Sequence, residues 1–427
     1  MKNSILLLIA SLSFLNIMSQ GSWGIHNNTN DIHVLATTDI IPTKWNDHRV
    51  YPDAITSNQG NSNSIFSENT VFTVLSPMTD VEDFDSVEYS NQQDFGTWLI
   101  AKDQFGQIQI SKRIHYNLVK IQILSLQYDY SPTRELLIFT GKYGSKMMVG
   151  TYNLLTDDVK IKSVDESGIA SRGIGLRSLW DDNYLAIGHS ADESFNPFGD
   201  NNLNTLNVAV FPLGMVFNIN DNGDITVHTV QKMDVKFKPQ TISDPVTISG
   251  NKTFFVAGHT ARENLLDVCS EVFCPVPVSP NDDEFKKCYT LALHAIYLVN
   301  AQFNGGNWTV NFGKGIEIKG HEQPLSFAWH EIALHVLARE NPLKAYLAFH
   351  NRNKPQSGLV PNQYGGVGDI TLYEFDVDHT GFSLLHRSNF DLLGLGADEV
   401  KATRVDRIFY TGNSKISILF NIYDLST

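Results

Sequence analysis

Residues 215–227 read MVFNINDNGDITV, and this stretch sets the fold class. An apolar run leads into Asn218–Gly223, built of Asn, Asp, Ile and Gly, and a shorter alternating run follows. Asn, Asp and Gly tolerate the positive φ of tight turns, so two apolar runs joined this way read as a β-hairpin. The pattern recurs at Thr97–Ile110 (TWLIAKDQFGQIQI), Met147–Ile161 (MMVGTYNLLTDDVKI), Ala295–Val310 (AIYLVNAQFNGGNWTV) and Ile370–Leu385 (ITLYEFDVDHTGFSLL). A sixth copy, Ile416–Asp424 (ISILFNIYD), ends without its second strand.

Working outward, a second feature precedes the hairpins: an apolar strand ending in a small residue and then a polar one. It reads LLIFTGK (Leu136–Lys142), YLAIGHS (Tyr184–Ser190), FFVAGHT (Phe254–Thr260), YLAFHNR (Tyr346–Arg352) and RIFYTGN (Arg407–Asn413), with NTVFTVL (Asn69–Leu75) a weaker first member. The repeating unit is therefore strand, variable loop, hairpin. That order matches the four antiparallel strands of a β-propeller blade, typically 4–8 of which ring a channel. The expected fold is all-β: one propeller domain over residues 25–427 with six four-stranded blades. Ile32–Thr38 (IHVLATT) is the strand expected to complete the last blade and close the ring. Closure hides sheet edges that would otherwise aggregate. The rival architecture is two packed β-sandwiches. Roughly 67 residues per blade exceeds the ~40–50 of known repeats, so the surplus belongs to loops. The long ones are Ser76–Phe95, Ser190–Leu206, Thr260–Tyr289 and Asn351–Asp369. All would crowd one face of a propeller, where a rigid scaffold presents functional loops.

The chain of 427 residues carries 32 Lys+Arg against 46 Asp+Glu, a formal charge of −14. Nucleic acids and anionic membranes demand a basic face, so neither is the expected partner. Residues 1–21 read as an export signal: Lys2, an apolar run from Ile5 to Leu15, then Ser19 and Gly21 at the small-residue cleavage positions. The run is too short to span a bilayer, which needs ~20 residues, and no later stretch is a span. The expected location is extracellular. Export makes Asn27, Asn251 and Asn307, each in Asn-x-Thr, candidate glycosylation sites. It also makes Cys269, Cys274 and Cys288 disulfide candidates, with the odd thiol able to link two chains into a dimer.

Several motifs lose to plainer readings. His189, His259 and His350 end matching strands in separate blades, and packed sheets about 10 Å apart hold them too far apart for one metal. His330-Glu331 with His335 is spaced i+5, whereas the zinc-protease motif needs i+4 on a helix. Gly168, Ser171 and Gly173 miss the hydrolase elbow by one residue and are expected in a flexible connection between blades. Asn218–Gly223 and Asp376-x-Asp378 read as hairpin turns rather than calcium loops. The acidic run Asp80–Asp94 is more informative, since no Lys or Arg occurs between Arg49 and Lys102. Asp80, Glu82, Asp83 and Asp85 are its calcium candidates, because hard oxygen ligands suit Ca²⁺. The sialidase Ser-x-Asp-x-Gly-x-x-Trp box is absent, and no convergent catalytic set is legible. The expected function is binding of an extracellular protein or glycan through a loop-rich acidic face. The alternatives are a calcium-dependent ester or phosphoester hydrolase and a structural matrix or coat component.

Overall fold

In chain order the strands are β1 (Gly21–His26), β2 (Ile32–Thr37), β3 (His48–Ser57), β4 (Val71–Pro77), β5 (Thr97–Lys102), β6 (Ile108–Ile114), β7 (Ile121–Ser131), β8 (Arg134–Tyr143), β9 (Lys146–Asn153), β10 (Val159–Ser163), β11 (Ser171–Ser178), β12 (Asn183–Ala191) and β13 (Val210–Ile219). They continue as β14 (Ile225–Lys232), β15 (Lys238–Ile242), β16 (Val246–Ile248), β17 (Asn251–Ala261), β18 (Ala292–Asn304), β19 (Asn307–Glu317), β20 (Leu334–Arg339), β21 (Lys344–Asn351), β22 (Asp369–Asp378), β23 (Gly381–Phe390), β24 (Lys401–Tyr410) and β25 (Ile416–Asp424). This computed structural model describes residues 21–26, 32–37, 48–58, 63–66, 68–77, 97–114, 121–144, 146–164, 171–180, 182–191, 210–235, 237–261, 292–317, 334–351, 369–390, 401–410 and 416–424. Among them the regular structure is all strand.

The strands fall into two compact units, one drawn mainly from Ala36–Gly188 with Leu213–Val230, the other mainly from Gly21–Leu35 with Gln231–Thr427. In the first, β3-β4-β5-β6 and β7-β8-β9-β10 are consecutive antiparallel sheets, joined by one parallel bridge at Asp53 and Ser125. The sheet β11-β12-β13-β14 follows. In the second, the sheets are β15-β17-β18-β19 (with β16 also on β17), β20-β21-β22-β23, and β2-β1-β25-β24.

Burial explains the composition of each strand. The middle strands β8 and β9 are covered on both faces, so they read as nearly unbroken apolar runs. The fourth strands are more exposed: β14 has no fully buried position and alternates between half-buried and exposed over Ile225–His228. Within the first unit, Leu136, Ile138, Met147 and Val149 pack against Tyr184, Ala186, Leu213, Met215 and Phe217. In the second, Phe255, Ala257, Ile296 and Leu298 pack against Val336, Ala345, Leu347, Tyr373 and Phe375. Ala348 and Ile370 meet Val405, Ile408 and Ile418 in a further layer. In each case alternate residues of neighbouring strands supply one face, as sheet-on-sheet packing requires.

The small residue that ends the repeated second strand has a steric cause. Gly141, Gly188 and Gly258 occupy this place in β8, β12 and β17, and each lies against the backbone carbonyl of the first strand: Gln122, Arg172 and Lys238 respectively. The first strand bulges beside two of them, between Ile123 and Ser125 and between Pro239 and Thr241. A bulge pushes one strand toward its partner, and only a residue without Cβ leaves room.

Two expectations need correction. The C-terminal hairpin is completed by two strands from the N-terminal segment, not one. β1 lies directly on β25, with Trp23 opposite Asn421 and Ile25 opposite Leu419, and β2 lies outside it. β24 accordingly stands first in its sheet, and Arg407–Tyr410 belongs to a first strand, not a second. Backbone pairing asks only for donors and acceptors, so the segment Gly21–His26, with two glycines and few apolar side chains, serves. The second correction concerns Ser171 and Gly173, which lie inside β11 and are buried. Gly173 backs onto Thr140 Oγ1, and a Cβ there would be 3.1 Å from Gly141 N. Close strand packing, not flexibility, calls for glycine.

Candidate functional site

Antiparallel order gives every sheet two different ends. Short turns close one end: Gly106, Gly223, Gly305 and Gly306 take φ of 81°, 78°, 59° and 88° in the turns β5–β6, β13–β14 and β18–β19. The connections 78–96, 192–209, 262–291 and 352–368 all begin and end at the other end, between second and third strands. Asp80, Glu82, Asp83 and Asp85 fall in the first of these, and Cys269, Cys274 and Cys288 in the third. They lie outside the described residues, as do Asn27, His330 and Glu331.

The strand ends that carry the acidic segment are described, and they are firmly held. Ser76, the penultimate residue of β4, is fully buried. Its hydroxyl donates to Ile123 O at 3.0 Å and accepts from Ile123 N at 2.9 Å. At the far side of the segment, Thr97 donates its hydroxyl to Ile121 O. Both ends of residues 78–96 are thus tied to β7, the first strand of the next sheet. One sheet further, Met147 N donates to Ser171 Oγ at 2.7 Å. Val164 N donates to Met147 O at 2.9 Å. Small hydroxyls reach neighbouring backbone where longer side chains would not fit.

Below this rim, the first strands of the first unit share a polar contact. Arg177 Nη1 reaches Asp53 Oδ2 at 3.2 Å, with side chains 10% and 12% exposed. Leu176 N donates to Ser125 Oγ at 3.0 Å, and Gln127 Nε2 donates to Leu176 O at 3.0 Å. A paired, hydrogen-bonded charge is the form in which buried ions are tolerated. At the turn end, Arg134 is almost wholly buried and donates to Asp129 Oδ2 at 2.8 Å, Asp182 Oδ1 at 2.6 Å and Ile219 O at 3.1 Å. The adjacent carboxylates hold its pKa above the ordinary value even though burial opposes the charge. Asn220 Oδ1 accepts from Asn222 N and Asp224 N, so Asn220–Asp224 is a side-chain-braced turn, with Asn218 and Ile219 still in β13. Asp378 Oδ1 likewise accepts from Thr380 N.

His335 lies in β20, 7% exposed, where its Nδ1 accepts from Ile408 N at 3.4 Å. Lys142, His189, His259 and His350 all sit on second strands, β8, β12, β17 and β21. Among the described residues no three His, Cys, Asp or Glu side chains gather as a metal site requires. No helix there is long and apolar enough to cross a membrane. The hydroxyl ties and the Asp53–Arg177 pair escape sequence reasoning, because Asp53 and Arg177 are 124 positions apart and no local pattern marks either.

No family model matches the chain, and no curated protein sequence matches it. Among solved structures it is similar to Drosophila Plexin A in complex with Semaphorin 1b, with a TM-score of 0.37, 8% identity, and 84% of this chain and 71% of that chain covered. Drosophila Semaphorin 1b, extracellular domains 1–2, gives 0.36 and 8%, with 83% and 71% covered. A fructofuranosidase from Schwanniomyces occidentalis gives 0.32 and 8%, with 92% and 83% covered.

Proposed function

We propose that the chain is an exported six-bladed β-propeller that binds an extracellular protein or glycan through the loop-bearing ends of its sheets. One observation carries this reading. The four connections 78–96, 192–209, 262–291 and 352–368, between second and third strands, leave from the end opposite the glycine turns, and the acidic one is tied at both ends to its neighbour's backbone through Ser76 and Thr97. Loops on a rigid frame are suited to recognition, and a carboxylate-rich segment favours a partner with a basic surface. The six-blade reading takes the eight-stranded sheet as two four-stranded blades, β3–β6 and β7–β10, meeting at the Asp53–Ser125 bridge, and each of the other four sheets as one blade; the pairing of β1 with β25 supports closure by an N-terminal segment.

The test is capture by the immobilised exported protein of glycans and of extracellular proteins. Changing Asp80, Glu82, Asp83 and Asp85 together to Asn or Gln should abolish most of the capture. Undiminished capture rejects the acidic segment as the contact. A thermal midpoint several degrees higher in calcium than in EDTA would favour the calcium-dependent hydrolase, since a cation bound by the native state alone raises stability by mass action.

A further inference from the structure

Two of the three sequons fall among the described residues, and they stand at turn tips of the same sheet. Asn307 opens β19 directly after the Gly305–Gly306 turn and lies opposite Asn304. Asn307 and Thr309 are both exposed, while Trp308 between them packs against Phe303 at 5.3 Å. Asn251 opens β17 after Ser249 and Gly250, with φ of 50° and 79°, and lies opposite Ile248. It too is exposed, but Thr253 is only 1% exposed, its hydroxyl 2.5 Å from Asn300 Oδ1 and 3.3 Å from Asn251 O. Thr253 pairs with Asn300, and Asn300 with Asn311, so both tips close the end of the sheet away from residues 262–291.

We propose that Asn307 carries an N-linked glycan and Asn251 a less occupied one, and that these sugars cover the turn end of this sheet, leaving the loop-bearing end for the partner. The inference rests on the export reading. The donor is a lipid-pyrophosphate-linked oligosaccharide, delivered by the host's oligosaccharyl transferase. Asn307 Nδ2 attacks the anomeric carbon, the bond from that carbon to the pyrophosphate oxygen breaks, and the Nδ2–carbon bond forms. One Nδ2 proton is lost and the lipid pyrophosphate leaves with the bonding electron pair. The enzyme must read both the amide and the hydroxyl of Asn-x-Thr. Folding withdraws the Thr253 hydroxyl into the sheet, which closes the window for Asn251, whereas Thr309 stays exposed.

The full chain is expressed in a eukaryotic secretory host, and peptides from the medium are weighed before and after peptide N-glycosidase. The peptide holding Asn307 should be glycosylated in most molecules, and the one holding Asn251 in fewer. N307Q and T309A should each remove one glycan's mass with an unchanged β-type circular dichroism spectrum. An exported chain that has lost residues 1–21 and carries an unmodified Asn307 overturns the proposal. Occupancy higher at Asn251 than at Asn307 overturns the accessibility argument. A chain retained in the cell with Met1 in place overturns the export reading and the glycans together, and the terminal peptide tells this failure from the others.

Discussion

Gly258→Ala tests the steric origin of the repeated glycine. A Cβ on Gly258 would lie inside contact distance of Lys238 O and at 2.9 Å from both Lys238 C and Pro239 Cα. Favourable carbon contacts sit at about 3.5–4.0 Å, so β15 must withdraw by about 0.6 Å or more. All three atoms are backbone, so no side-chain rotation relieves them. Withdrawal strains the Lys238–His259 and Pro239–Gly258 pairing. Overpacking costs about 1–3 kcal/mol, and each of the two weakened pairings adds about 1 kcal/mol, for a total near 3–5 kcal/mol. A cooperative unit of 150–250 residues loses about 2–4 °C per kcal/mol, so the thermal midpoint should fall by roughly 6–20 °C. Gly313→Ala in the same sheet is the control: its Cβ would meet Leu298 Cβ at 3.2 Å, a small displacement. Circular dichroism melts of both variants decide the matter. If Gly258→Ala melts within a degree or two of Gly313→Ala, the carbonyl contact is not what demands glycine.

Three further outcomes follow from the same geometry. Arg134→Met should cost about 3 kcal/mol in urea unfolding, because it strips Asp129 and the Ile219 carbonyl of a donor that is itself only 2% exposed. Burial, then hydrogen bonding to Asp157, raises the Tyr152 phenol above its ordinary 10.0; burial, then the Asp129 charge, does the same for Tyr184. The native state therefore keeps these protons where the unfolded chain releases them, so this stability is complete below pH 10 and is lost as pH climbs above it. Melting midpoints across alkaline pH should decline from that point, and Phe at both positions should flatten the decline. Deleting residues 21–37 removes β1 and β2 and bares the edge of β25, so the shortened chain should self-associate on size-exclusion chromatography; a monodisperse, equally stable product would contradict the pairing.

Much of the fold was legible locally. Gly223 and the Gly305–Gly306 pair adopt the positive φ that the hairpin reading required of them, because turn chemistry is a property of two to four adjacent residues. The hairpin turn expected there is seen at Asn220–Asp224, braced by the Asn220 side chain, for the same reason. The contribution of β1 was not legible, because a Gly- and Ser-containing segment acquires strand structure only from its partner β25. Nor was the burial of Ser171 and Gly173, whose composition imitates a loop until Thr140 is placed behind them. Of the candidate site, the sequence shows the carboxylates between Asp80 and Asp94 but not Ser76 and Thr97 as anchors, since a buried serine is chemically the same letter as a surface one.

By itself, then, the amino-acid order determined where most of the hairpin strands lie, where they turn back, and the sign of the net charge, because periodicity, turn geometry and ionisation act over a few residues. Only the tertiary structure decided which strands share a sheet, why Gly141, Gly188 and Gly258 must lack a side chain, how Asp53 finds Arg177, and that Asn251 and Asn307 stand at one end of one sheet. Those are contacts between residues far apart in the chain, formed where backbone hydrogen bonding and close packing leave one arrangement that satisfies both.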